Sequence, residues 1–206
     1  MISPGELLVT KQRSHRGVRL KRFERLDSVF TIGHSSRSIT DFIALLAESK
    51  VGLLVDVRSI PRSRAMPQFN SDSLAESLAV ENIDYRHLAA LGGRRHHKKG
   101  APPSPNTLWR VAAFRNYADY AATDAFRAGL EELIALGSRQ NCAIMCAEAV
   151  WWRCHRRIIA DYLIARGIPV NHIMSRGKMT PATLTPGAVI TKEETILYPA
   201  PPQSAE

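Results

Sequence analysis

The sequence predicts a three-layer α/β/α domain around a mostly parallel sheet of about five strands, doubly wound in the Rossmann-like or flavodoxin-like manner. Short apolar runs rich in β-branched residues alternate with segments of helical periodicity from Val29 to Ile173, which is the pattern of right-handed crossover units. Most of these runs are continuously apolar, as strands covered on both faces are. Three of them end in polar groups: Gly33-His34-Ser35-Ser36, Asp56-Val57-Arg58 and Cys146-Ala147-Glu148.

The elements follow in order. Val29-Phe30-Thr31-Ile32 is β-rich and stops at Gly33, giving strand one. Ser38 and Asp41 make a capping box, and Phe42, Leu45 and Leu46 continue at helical spacing to about Lys50. Val51 to Val57 is a buried strand, and Pro61 and Pro67 punctuate the loop after it. Ser71 caps a helix carrying Leu74 and Leu78, and Ile83 to Leu88 alternates as a third strand. Gly92 to Asn106 is a long loop, of the kind that forms a lid or binds a ligand. Helices follow at Phe114–Ala121 and from the Thr123 cap to Leu136, where Gly137 stops the chain. Cys142 to Ala147 is a fourth strand, about Cys154 to Arg166 a helix ended by Gly167, and Ile168 to Ile173 a last strand. Prolines return after Gly177, which predicts a partly ordered tail with one short strand at Ala188–Ile190. The expected organisation is a basic extension (1–27), a single α/β domain (28–176) and a proline-containing tail (177–206).

The chain has 206 residues, 45% hydrophobic and 23% charged, which excludes wholesale disorder and a small disulfide scaffold. Three cysteines, an odd number, argue against a secreted disulfide framework. The first residues lack the order of a signal peptide, and no apolar run approaches the length of a membrane span, so a soluble cytoplasmic protein is expected. The formal charge of +9 is unevenly spread. Residues 1–27 carry seven bases against three acids, residues 92–110 carry five bases and no acid, and the remainder balances. Two basic segments on a neutral domain suit a polyanionic partner.

Ligands of such sheets bind outside the C-terminal strand ends, near a topological switch point. His34, Ser35, Asp56, Arg58, Cys146 and Glu148 therefore belong to one edge. Asp56 in a dry strand end needs a partner, for which Arg58 and His34 are the candidates. Between Glu148 and the next helix lie Trp151, Trp152, Arg153, Cys154, His155, Arg156 and Arg157. Cations at a helix N-terminus are unfavourable unless an anion joins them, and phosphate is the usual one. Cys154 in that setting gains thiolate character. Glu148 suits acid–base or nucleophilic work. Cys142 reads as a core residue. No Gly-x-Gly-x-x-Gly, P-loop, Cys-x-x-Cys or Cys-x5-Arg phosphate loop is present. The residues imply no particular cofactor and no metal of recognised spacing.

An ordered series of short motifs runs through the domain: Thr31-Ile32-Gly33-His34-Ser35, Leu54-Val55-Asp56-Val57-Arg58 with Pro61 and Ser63-Arg64, His87-Leu88 before Leu91-Gly92-Gly93, Phe114-Arg115-Asn116-Tyr117-Ala118-Asp119-Tyr120, and Cys146-Ala147-Glu148 with Cys154-His155-Arg156. The series resembles the bacterial and archaeal family catalogued as domain of unknown function 488, over about residues 29–173. The resemblance implies a compact α/β domain with an active-site-like group of strand-end residues, and it brings no established reaction. It adds Arg64, Gly92, Gly93, Tyr117, His155 and Arg156 to the positions of interest.

The leading expectation is an enzyme acting on a phosphate-bearing substrate, a nucleotide or nucleic acid. Glu148, Cys154, Cys146, His34 and Asp56 would do the chemistry. Ser35, Arg58, Arg64, Gly92, Gly93, Tyr117, His155 and Arg156 would hold the substrate. The alternatives are a non-catalytic nucleic-acid-binding module using 1–27 and 92–110, and a redox sensor in which Cys146 and Cys154 pair.

Overall fold

The computed structural model describes residues 28–97 and 100–201. The basic extension 1–27, Lys98 and Lys99 of the basic loop, and residues 202–206 lie outside the described residues. The strands are β1 (Val29–Gly33), β2 (Leu53–Asp56), β3 (Asp84–His87), β4 (Cys142–Cys146), β5 (Val170–Ser175) and β6 (Lys178–Pro181), with a separate hairpin of β7 (Val189–Ile190) and β8 (Ile196–Leu197). The helices are α1 (Ile39–Glu48), α2 (Ser71–Ala79), α3 (Ala112–Ala121), α4 (Asp124–Gly137) and α5 (Arg156–Ala165). The main sheet runs β3-β2-β4-β1-β5-β6. The first five strands are parallel, and β6 is antiparallel to β5.

The layers follow from which side chains each strand sends to either face. Ile32, Leu54, Ala143 and Met145 pack with Phe42, Leu45 and Leu46 of α1 and Leu74 and Leu78 of α2. Val55, Ile144 and Cys146 pack on the opposite face with Tyr117 of α3, Phe126 and Leu130 of α4, and Ile158 and Ile159 of α5. Two covered faces explain the continuously apolar strands. The three-layer α/β class is what the alternation predicts. Ser38 caps α1 as read: its Oγ accepts from the Asp41 amide at 3.0 Å and donates to the Asp41 carboxylate at 2.7 Å.

The order of strands sets the site. After β1 the chain crosses to β2 through α1 on one face, and after β4 it crosses to β5 through α5 on the other. Adjacent β1 and β4 thus lead the chain to opposite faces, which opens a crevice beyond their C-terminal ends.

Two features differ from the sequence reading. The sheet has six strands rather than about five, because the proline-containing segment after Gly177 supplies β6. That segment also returns to the core. Ile196 and Tyr198 are fully buried, and the Tyr198 hydroxyl donates to the Asp161 carboxylate of α5 at 2.9 Å. Single buried residues among prolines carry no periodicity, so the sequence gives them no helical or strand signal. Secondly, α5 begins at Arg156 with His155 at its N-cap, not at Cys154, which stays extended at φ −134°.

His172 on β5 carries a pH dependence. It is 1% exposed, its Nδ1 lies 2.8 Å from the Thr31 hydroxyl, and Trp151 stacks on its ring at 4.3 Å. Burial, with a smaller contribution from Arg156, pushes its pKa from 6.5 down to about 4. The native ring stays neutral while the unfolded chain takes up a proton. Its contribution to stability is therefore complete above pH 6.5 and is lost as the pH falls through about 4. His172→Gln should flatten the decline of Tm across that window; an unchanged slope would contradict the assignment.

Candidate functional site

The crevice is built first by backbone. The amides of His34 and Ser35 donate to the carbonyls of Cys146 and Ala147, both at 3.0 Å, so β1 and β4 stay zipped past their ends. Gly33 permits this, because a Cβ there would collide with the Glu148 carbonyl and crowd the Arg156 guanidinium. His34 stacks on Phe69 at 4.3 Å. Its Nδ1 donates to the Ser35 carbonyl at 2.9 Å, which leaves Nε2 as the acceptor, 3.5 Å from Nη1 of Arg58. Burial first, then neighbouring Arg58, lowers its pKa, so the ring is neutral. Ser35 adopts a left-handed φ of 48° and contributes backbone bonds at the turn.

Asp56 and Arg58 form the expected pair. Asp56 is fully buried, and Arg58 Nε donates to its two carboxylate oxygens at 2.9 and 3.0 Å. The Tyr85 hydroxyl adds a bond at 2.8 Å, and the Arg58 amide another at 3.0 Å. Arg58 is further held by the Phe69 carbonyl at 2.7 Å. Asp56 is thus saturated and does not line the crevice. It holds Arg58, which does.

The centre of the site is a pair of thiols. Cys146 ends β4, Cys154 precedes α5, and their Sγ atoms lie 2.6 Å apart. Arg156 is 1% exposed. Its Nε donates to Cys154 Sγ at 3.4 Å, its Nη2 to the Glu148 carbonyl at 2.7 Å and its Nη1 to the Thr31 hydroxyl at 3.4 Å. Among the described residues no carboxylate pairs with it. A buried guanidinium needs a countercharge, and the acidic groups in reach are the Cys154 and Cys146 thiols. His155 Nε2 donates to the Val57 carbonyl at 2.9 Å, which directs Nδ1 to Cys154 Sγ at 3.5 Å. Burial opposes ionisation of both thiols. At Cys154 the Cys146 hydrogen bond, His155 and Arg156 overcome it and hold the pKa well below the ordinary thiol value. Cys146, buried beside that charge, is held well above. Cys154 at the head of α5 thereby has the stronger thiolate character of the two.

These groups open into a cleft of about 390 Å³. His34, Arg58, Gly93, Tyr117, Cys146, Glu148, Cys154 and His155 line it, all singled out in the sequence. Glu148 presents an exposed carboxylate. Gly93 lies against His155 so closely that a Cβ would strike the ring. Tyr117 spends its hydroxyl on the Leu91 carbonyl at 2.8 Å and packs its ring 5.0 Å from His155, so it positions that histidine. Five expected residues lie off the wall. Asp56 and Arg156 are buried behind it, Ser35 acts through backbone, Gly92 meets Ser59 at close range, and Arg64 is exposed elsewhere. Arg156 has its Nε on Cys154 Sγ, behind the cleft wall.

Arg62, Arg94 and Arg153 join Arg58 around the cleft, with Ser59 and Phe114. Sequence reasoning gave Arg62, Ser59 and Phe114 no binding role, and took Arg94 only as part of the basic segment 92–110 and Arg153 only as one of the cations at the head of the helix. Arg94 sat in the basic loop and Arg153 beside Cys154, so charge clustering was the available signal. Cys146, Cys154 and His155 offer three donor atoms within 4.8 Å of one another. Cys142 is a core residue, its thiol pushed up to about 12 by burial.

Comparison with curated proteins finds no match, and neither does comparison with solved structures. A family model does match, over residues 38–163, which is more than half of the chain and spans both the Asp56–Arg58 pair and the two thiols. The chain belongs to the family described as Domain of unknown function DUF488.

Proposed function

We propose that this protein is an enzyme acting on a phosphate-bearing substrate, nucleotide or nucleic acid in kind, with Cys154 as nucleophile. One observation carries the reading: a cysteine sulfur bonded by a buried arginine faces a cleft walled by four arginines, Arg58, Arg62, Arg94 and Arg153, against the single carboxylate of Glu148. Such a wall suits an anion, and the thiolate is the attacking form of cysteine. In the proposed step the Cys154 sulfur bonds to the electrophilic centre as the bond to the leaving group breaks. His155 Nδ1 holds the proton released by the thiol and returns it to the leaving group. Glu148 then takes a proton from the water that displaces the adduct and frees the thiolate. A cytoplasmic setting belongs to the same proposal, since it keeps free thiols reduced.

The test is protection from alkylation. Inorganic phosphate or adenosine monophosphate should slow the reaction of iodoacetamide with Cys154, read by peptide mass. Arg94→Ala combined with Arg153→Ala should remove most of that protection while leaving the unprotected rate in place. Equal alkylation with and without both anions at millimolar concentration would overturn the phosphate-bearing substrate.

A further inference from the structure

We infer that Cys154 and Cys146 form a two-cysteine pair that reduces hydroperoxides, with Cys154 accepting the oxygen and Cys146 resolving it as a disulfide. The inference shares the Cys154 thiolate with the preceding proposal but needs no phosphate recognition.

The geometry is that of two sulfurs already converged. Both cysteines are free thiols. They lie 2.6 Å apart and eight positions apart in sequence. A disulfide needs its two sulfurs in direct contact, and these two side chains already converge to that contact. The two thiols are not equivalent. Cys154 has the Arg156 Nε–H at 3.4 Å and His155 Nδ1 at 3.5 Å beside it, and Cys146 has the Glu148 amide at 3.4 Å. The attacking sulfur and the waiting sulfur are thereby distinguished. Both line the cleft, which admits a molecule as small as a peroxide. Cys142 lies at the far end of β4, fully buried in the core, and is no competitor.

The chemistry balances with a hydroperoxide as oxidant and a dithiol as reductant. The Cys154 thiolate attacks the terminal peroxide oxygen. An S–O bond forms, the O–O bond breaks, and the alkoxide or hydroxide leaves with a proton from His155 Nδ1 or solvent. The resulting sulfenic acid is attacked by Cys146 sulfur. An S–S bond forms, the S–O bond breaks, and water leaves with the Cys146 proton. Two thiols have been oxidised and one peroxide reduced. A dithiol such as dithiothreitol restores both cysteines by exchange.

The experiment treats the full chain with stoichiometric hydrogen peroxide and reads intact and peptide masses. Wild type should lose two hydrogens, form a Cys146–Cys154 linkage, and consume further peroxide when dithiothreitol is present. Cys146→Ser, which keeps a donor beside Cys154, should instead gain one oxygen at Cys154 that dimedone traps. A wild type that stays reduced, a linkage through Cys142, or over-oxidation of Cys154 at the same rate with and without Cys146 would each overturn the pair. Circular dichroism confirms that the variant is folded. Rapid alkylation of Cys154 without disulfide formation would sink this inference alone. Disulfide formation without protection by phosphate would sink the preceding one alone.

Discussion

Arg156→Met should destabilise the protein by about 3–5 kcal/mol, the usual range when one member of a buried charge pair is removed. The guanidinium is 1% exposed and bridges the Glu148 carbonyl, Thr31 of β1 and the Cys154 sulfur. Its loss leaves a carbonyl at the β4 end unpaired, and the thiolate loses its cation and takes up a proton. The counterpart change, Cys154→Ala, strands the guanidinium. The two substitutions remove one interaction between them, so the double variant should be less destabilised than the sum of the singles. Urea unfolding of the four proteins measures this. Additive losses would mean that the charge of Cys154 does not stabilise Arg156.

Gly33→Ala should be at least as damaging, about 3 kcal/mol or more, although it adds a single methyl group. The methyl would run into the Glu148 carbonyl, which is backbone and cannot swing aside, and into the guanidinium of Arg156. Relief requires β1 and β4 to part where the His34 and Ser35 amides join them. Urea unfolding should show the loss, accompanied by reduced reactivity of Cys154. A variant of native stability would show that the strand ends tolerate separation, and the convergence of His34 and Glu148 would lose its structural basis.

Much of this edge could be read from the sequence because polar residues at the ends of apolar strands have few places to go. His34, Arg58, Cys146, Glu148 and Cys154 are far apart in the chain, yet alternation of strands and helices places them together, as the cleft does. Asp56 was legible as a residue in need of a partner, and Arg58 is that partner. What the sequence hides is direction. Arg156 and Arg153 look alike beside Cys154, but one turns inward to the thiolate and the other outward to the cleft. Helical phase could have separated them only if the start of α5 had been known, and α5 starts two residues later than its composition suggests. The strap through Ile196 and Tyr198 was hidden for a different reason. Its anchors are isolated residues held by distant partners, Ile196 by Tyr162 and Tyr198 by Asp161 and Asn106.

Cys154 has a lowered pKa because Cys146, His155 and Arg156 favour its charge over the penalty of burial. The most direct measurement is the rate of iodoacetamide alkylation at Cys154 as a function of pH, read by peptide mass on the intact, reduced protein. The rate should reach its plateau well below the ordinary thiol range, and in Arg156→Met the midpoint should move up toward that range. A wild-type midpoint at the value of a free cysteine would contradict the account.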